Sequence, residues 1–259
     1  MSAIDPRAEV SPLARLGRNV RVGPFAVVGG DVELGDGSIV HSHAVIRGPA
    51  RFGRENIFFP FSAVGSDPQD LKYRGERTSL EAGDANQFRE CVTVSRGTAQ
   101  GNGVTRLGSH NLLMAYSHVG HDCVLGDRVI LVNAATLAGH VTIEDDATVG
   151  AFCPVHQFCR IGRHAYIAAH TVITQDVLPF SKVVAPRNTR AYGVNSIGLE
   201  RHGFSRDRID AIEQAYRLLL RSKFNTTQAL ARIKETLAGS ADVEELVRFI
   251  EAAERGITK

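Results

Sequence analysis

The sequence predicts a mainly β protein: a parallel β-helix of six-residue repeats, followed by a small C-terminal helical unit. Three observations predict it. An aliphatic or Phe residue returns every sixth position from Ile4 through Val10, Leu16, Val22, Val28, Leu34, Val40, Ile46, Phe52 and Phe58 to Val64. Four places after most of these stands a small residue, as at Ala8, Ala14, Ala26, Ser38 and Ala44. Beyond Ser205 the period changes, and Ile209, Ile212, Tyr216, Leu219 and Leu220 recur at helical spacing.

A period of six fits neither the 3.6-residue helical turn nor the two-residue alternation of a hairpin strand. A short strand closed by a tight turn does fit. The large residue points inward from the strand, and the small one points inward near the corner, where space runs out. Gly and Asp crowd the turn places, as in Gly35-Asp36-Gly37 and Gly126-Asp127. Three such sides make a triangular coil of eighteen residues, stacked on the next at the ~4.8 Å strand spacing. Backbone bonds then run between coils, around a continuous aliphatic column.

The elements follow in order. Residues 4–63 supply ten hexads. Residues 66–79 break the register with the polar Ser-Asp-Pro-Gln-Asp-Leu-Lys-Tyr-Arg-Gly-Glu loop. The register returns at Ala82, Phe88 and Val94, and residues 99–106, rich in Gly, form a second insertion. Twelve hexads follow, from Leu107 through Val119, Leu137 and Val155 to Ile173 and Leu178. Insertions in a repeat protein gather on one face, often the binding face. Pro179 and Pro186 mark a connection, so the β-helix is assigned to residues 1–189 and an all-helical domain to 190–259. Its first helix starts after a Ser205 cap. A second runs from about Thr226 to Leu237, with Gly239 as its stop. A third begins near Asp242, where Asp-Val-Glu-Glu has capping-box spacing. The exposed last coil of a β-helix needs a cover, and this domain is placed to supply it.

Composition narrows the function. A net charge of +2 over 259 residues argues against nucleic acid as a partner, and an anionic partner would have to meet a local patch. The first residues carry no basic stretch followed by an apolar run, and no segment approaches a membrane span. A secretory signal and membrane insertion are therefore not expected, and a cytoplasmic location is. Cys123, Cys153 and Cys159 fall in inward small slots, Cys91 lies elsewhere in its hexad, and no CxxC pair exists. The cysteines read as reduced, buried small hydrophobes.

Histidines are concentrated in one stretch. His118, His121, His140 and His156 fall within 39 residues. An eighteen-residue step carries His121 to Gly139 and Gln157, Asp122 to His140, and Gly120 to Ala138 and His156. These residues are expected to stack at one outward-looking corner of three successive coils, about 5 Å apart per level. Imidazoles on a rigid edge with a carboxylate beside them make a general-base site. A metal shell is not expected, because the imidazoles sit on different levels and no Cys or carboxylate set completes one.

Several longer motifs carry a resemblance. They are Asn111-Leu112-Leu113-Met114, His118-Val119-Gly120-His121-Asp122-Cys123, the run from Asn133 to Val141, and Val155-His156-Gln157-Phe158. Others are Gln69-Asp70-Leu71-Lys72-Tyr73, Arg96-Gly97-Thr98 and Gly203-Phe204-Ser205-Arg206. Together they resemble the acyl-carrier-protein-dependent UDP-N-acetylglucosamine O-acyltransferases of lipid A biosynthesis, hexapeptide-repeat enzymes whose β-helix is left-handed. The resemblance covers nearly the whole chain. It implies transfer of a 3-hydroxyacyl group from acyl carrier protein to the 3-hydroxyl of UDP-N-acetylglucosamine, by a homotrimer that needs no metal or other cofactor. It implies His121 as general base, Asp122 as its orienting carboxylate and the Gly139 N–H as oxyanion donor. Asp70 and Lys72 would hold the sugar nucleotide, and His118, His140, His156 and Gln157 would line the rest. Asn195 and Arg201 match positions that contact the nucleotide across a subunit boundary. Ala169 and His170 fall where the acyl pocket ends, and Ala169 implies a shorter pocket than Gly would. Ser95, Ile197 and His202 depart from the residues common at their positions in the family. Two alternatives stand beside this reading. One is N-acylation of a 3-amino sugar, although the related N-acyltransferases carry an N-terminal domain for which hexads starting at Ile4 leave no room. The other is a non-catalytic scaffold. Arg217, Arg221 and Lys223 form a candidate patch for the acidic carrier protein.

Overall fold

The computed structural model describes residues 2–184, 190–254 and 256–258. Two- to five-residue strands build three sheets, of eleven, eight and eight strands among the described residues. Away from the insertions and the last strands, each strand pairs in parallel with the strand one coil on, eighteen residues away: Arg15 with Glu33, Arg21 with Ile39, Val27 with Val45. The inward residue of each hexad is buried, so Val28, Ile46, Phe58, Leu113, Leu137 and Ile161 form one column. Phe58 and Phe88 stack at 4.9 Å, with Phe52 edge-on to Phe58 at 5.0 Å. Cys123, Cys153 and Cys159 are buried free thiols, and burial pushes Cys123 up to about 12.

The corners explain where side chains point. The third residue after each inward one takes a left-handed backbone: Phe25, His43, Phe61, Asp122, His140 and Phe158 have φ values of 58, 61, 62, 59, 63 and 66°. That conformation disfavours L-residues by roughly 1–2 kcal/mol. At Phe25, His43, His140 and Phe158 the residue's N–H bonds to a carbonyl one coil back, as His140 N does to His121 O at 2.9 Å, and the Asp122 N–H bonds to Thr105 Oγ1 at 2.9 Å. Side chains of one corner then stack outward, as His43 does on Phe61 at 5.1 Å and His140 on Phe158 at 4.6 Å.

The insertions break the step without breaking the stack. Val64, Val94 and Val119 remain in one column. The second insertion lies earlier than residues 99–106: Val104–Leu107 is a strand, paired with Ser79–Ala82. Its β-branched Val104 and Thr105 extend the sheet once Gly103 has turned the chain at φ 71°. The two loops therefore leave from the same corner, the first two coils and the second one coil before the level that carries Asp122.

The C-terminal part is not helical from residue 190. Arg190–Val194 pairs antiparallel with Ser181–Val184 and ends the eleven-stranded sheet. Among the described residues four α-helices follow: α1 (Ser196–Arg201), α2 (Arg206–Tyr216), α3 (Thr226–Thr236) and α4 (Ala241–Glu251). Helix α1 has no apolar period long enough to be read from the sequence, and Asn195 caps it. Ser205 caps α2 as expected. The capping box belongs to α3, between Asn225 and Gln228, whereas α4 is capped by Ser240. Residues Arg217–Arg221 form a π-helical turn after α2. Leu178 and Phe180 of the last coil join Leu199, Ile209, Ile212 and Leu246 in one cluster, so the helices cover the end of the column. Tyr216 Oη donates to Pro179 O at 2.5 Å and Arg163 pairs with Glu245 at 2.7 Å across that junction. No helix among the described residues is long and apolar enough to cross a membrane.

Candidate active site

The corner after Val119 gathers the chemistry. The turn geometry puts His121 on the outside of its coil, half-buried, with its Nδ1 2.9 Å from Asp122 Oδ2. The Asp122 side chain has no solvent exposure. It is held by the second insertion: Thr98 Oγ1 donates to Oδ2 at 2.6 Å, Thr98 N–H approaches both oxygens at 3.1 Å, and Asn102 N–H donates to Oδ1 at 2.8 Å. Burial pushes this carboxyl up. The Thr98 hydroxyl, His121 and the Thr98 N–H together outweigh it and hold the group below the usual carboxylate range. Asp122 is therefore an anion at neutral pH, and it takes the Nδ1 hydrogen of His121. The lone pair is left on Nε2, which can then accept a proton.

Gly139 lies one level above. A Cβ there would come within 2.5 Å of His121 Cε1 and 2.6 Å of Nε2, so the imidazole uses the space that glycine leaves. Among the described residues no backbone acceptor takes the Gly139 N–H. His140 follows, its ring centroid 5.1 Å from that of His121 and edge-on to it. Burial lowers the His140 pKa, and the Asp122 charge offsets part of that. The Asp70 charge, on the first insertion, acts on His140 in the same sense as that of Asp122. His118 is not at the corner. It precedes inward Val119 within a strand and bonds Thr93 Oγ1 through Nδ1 at 2.7 Å. Burial pushes its pKa down, and His121 adds to that. Strand alternation turns the residue before an inward one onto the flat outer face, beside the corner instead of on it.

The remaining residues lie further out. His156 and Gln157 are exposed on the coil above. Lys72 is exposed, with its N–H on Asp70 Oδ1 at 2.9 Å. Ala169 and His170 stand at a different corner, where His170 stacks on Phe152 at 5.2 Å. Asn195 spends its side chain on Gly198 N–H and on His164 O, and Arg201 is exposed on α1. One chain does not bring these four to His121. Nor does it bring His202, which lies against His164 and Asp146 at a third corner, or Ile197, which is exposed. Ser95 is buried at the end of its strand. Arg217, Arg221 and Lys223 are exposed, with Arg217 near Glu213 at 3.6 Å. A cleft of about 520 Å³ lies between the Arg190–Val194 strand and α2, lined by Tyr192, Tyr216 and Arg221 among others, and includes none of the His121 cluster.

Three residues with no chemistry of their own organise the site. Thr98 and Asn102 fix Asp122. Arg96, whose side chain is 7% exposed, donates to Gly65 O at 2.6 Å and Tyr73 Oη at 3.1 Å and pairs with Asp67, gripping the first insertion. The signal for them was present in the sequence: Val64, Val94 and Val119 share a column, so both loops leave from the edge that carries Asp122, the second directly below it.

A parallel β-helix with a His–carboxylate pair at one corner, a glycine above the imidazole and a helical cover defines a hexapeptide-repeat transferase. Family models agree. The bacterial transferase hexapeptide model matches residues 14–48 and 140–175, and the second domain of UDP-N-acetylglucosamine O-acyltransferase matches 176–258. The chain is 42% identical, over all 259 residues of both proteins, to the acyl-[acyl-carrier-protein]–UDP-N-acetylglucosamine O-acyltransferase of Thermodesulfovibrio yellowstonii. Among solved structures it resembles LpxA of Acinetobacter baumannii (38% identity, all of both chains, TM-score 0.95). It also resembles LpxA of Bacteroides fragilis, a UDP-N-acetylglucosamine acyltransferase (38%, 98% of this chain and 99% of that one, TM-score 0.96). The chain belongs to the UDP-N-acetylglucosamine O-acyltransferase family and is an acyltransferase.

Proposed function

We propose that this chain transfers a 3-hydroxyacyl group from acyl carrier protein to the 3-hydroxyl of UDP-N-acetylglucosamine, the first step of lipid A biosynthesis, in the cytoplasm and as a homotrimer. The observation that carries the mechanism is the buried, anionic Asp122 on His121 Nδ1, which leaves Nε2 as the proton acceptor. A sugar hydroxyl is a weak nucleophile. His121 Nε2 takes its proton as the oxygen attacks the thioester carbonyl. The tetrahedral oxyanion takes a hydrogen bond from the Gly139 N–H. Its collapse breaks the carbon–sulfur bond, and the imidazolium returns the proton to the departing phosphopantetheine thiolate. Asp122 steadies the imidazolium throughout.

Asp70 and Lys72, on the loop that Arg96 grips, hold the sugar nucleotide, with His118, His140, His156 and Gln157 lining the rest. Asn195 and Arg201 reach the nucleotide from a neighbouring copy. That assignment is supported by their distance from the His121 corner within one chain. The acyl chain ends near Ala169 and His170, and acyl carrier protein docks on Arg217, Arg221 and Lys223.

The test is an acyl-transfer assay with carrier-protein thioesters of several lengths and two acceptors, UDP-N-acetylglucosamine and its 3-amino analogue. Ester formation with the first is expected, falling by about 10²–10⁴-fold in His121→Ala. Transfer to the amino sugar alone would overturn the acceptor. Undiminished activity in the variant would overturn the base.

A further inference from the structure

The second insertion closes over Asp122. A Cβ at Gly101 would lie 2.5 Å from the carboxyl, so only glycine lets the loop come this near. Thr98 is 1% exposed, and its hydroxyl is fully committed. The hydroxyl oxygen accepts the Gly101 N–H at 3.1 Å, so its hydrogen goes to Asp122 Oδ2 at 2.6 Å. That same oxygen takes the His121 Nδ1 hydrogen. The other donors on the carboxylate are backbone N–H groups, which fix its place. Apart from His121, Thr98 is the side-chain donor to this carboxylate among the described residues.

We propose that Thr98 is a positioning residue of the transfer reaction: by sharing Asp122 Oδ2 with His121 Nδ1, its hydroxyl sets how strongly the carboxylate holds the imidazole. The inference rests on the reading of His121 as the base. A carboxylate oxygen with two donors offers less negative charge to each. Removing the hydroxyl while keeping the N–H donors leaves Asp122 in place and strengthens its field at the imidazole, which favours the protonated ring. Other ionisable groups face His121 as well. His118 lies on the adjacent strand, His140 lies on the coil above with Asp70 of the first insertion beyond it, and the Cys123 thiol lies beneath Asp122. None of these is altered by a change at Thr98.

Thr98→Val keeps the shape and removes the donor. The pH profile of kcat/KM is compared for the wild type, Thr98→Val, Thr98→Ser and His121→Ala. In Thr98→Val the acid limb moves up by about half to one pH unit, so activity below the limb falls about three- to tenfold. KM for the sugar nucleotide stays within about twofold, and Thr98→Ser restores the wild-type limb. A merely structural role would lower the melting temperature and kcat and leave the limb where it was. If Thr98→Val does not fold, Thr98→Ala carries the same comparison. An inactive His121→Ala with an unmoved limb at Thr98 overturns this proposal alone. A fully active His121→Ala overturns the base reading and this proposal with it.

Discussion

Gly139→Ala isolates the alignment of the base. Gly139 is not among the residues with positive φ, so alanine meets no backbone penalty there. The added Cβ would lie 2.5 Å from His121 Cε1 and 2.6 Å from Nε2. Carbon contacts relax near ~3.5 Å, so the ring must move by about 1 Å. The moving atoms belong to a half-buried side chain at a corner, and the inter-coil bonds around it need not change. The ring is tied to Asp122 by one 2.9 Å hydrogen bond, which a shift of that size breaks or bends. A misplacement of about 1 Å removes about 10²-fold in rate. The assay is single-turnover acyl transfer with saturating acyl carrier protein thioester, beside a thermal melt by circular dichroism. The expected result is a rate about a hundredfold lower with a melting temperature within about 2 °C of wild type. A rate within about threefold of wild type would refute the reasoning, because the displaced imidazole would then not be the group whose position limits the reaction.

Two further changes test the frame. Phe58→Ala empties the stack between Phe52 and Phe88 at the level where the first insertion enters, and should destabilise by about 3–5 kcal/mol. A thermal melt at fixed protein concentration unchanged from wild type would contradict the packing. His164 is buried beside Phe180 and Phe204. Burial lowers its pKa to about 4, against a partial upward pull from Asp146. An unfolded imidazole titrates near ~6.5, so unfolding takes up a proton between these values. Stability from this group is therefore full above about pH 6.5 and is lost as pH falls toward about 4. Melting temperature should fall over that window, and His164→Gln should flatten the slope. An unchanged slope would show that His164 is not held neutral in the folded protein.

The sequence was most legible where it repeats. A strict step of eighteen places His121, Gly139 and Gln157 in one file, and Asp122 and His140 in the next, from arithmetic alone. The structure keeps both files. Grouping His118 with that corner does not hold, because nearness in sequence does not say whether a residue sits in the strand or at its corner until strand alternation is applied; the step of eighteen itself sets His118 beside Thr136, as the structure does. The start of the strand after the second loop was set three residues late, since Val104 and Thr105 carry no hexad signal of their own. Helix α1 was hidden for the same reason, being six residues closed by a side-chain cap.

The sequence by itself determined the coil, its register, the two breaks in it and the residues that stack above one another, because a contact made at every eighteenth residue is written into the period. Only the tertiary structure decided how the aperiodic parts fold back. It put Thr98 and Asn102 on Asp122, hung the first loop from Arg96, and left Asn195 and Arg201 away from His121 within one chain. Those contacts depend on where a loop's hydrogen-bond donors come to rest once water is excluded, and loops carry no period from which that can be read.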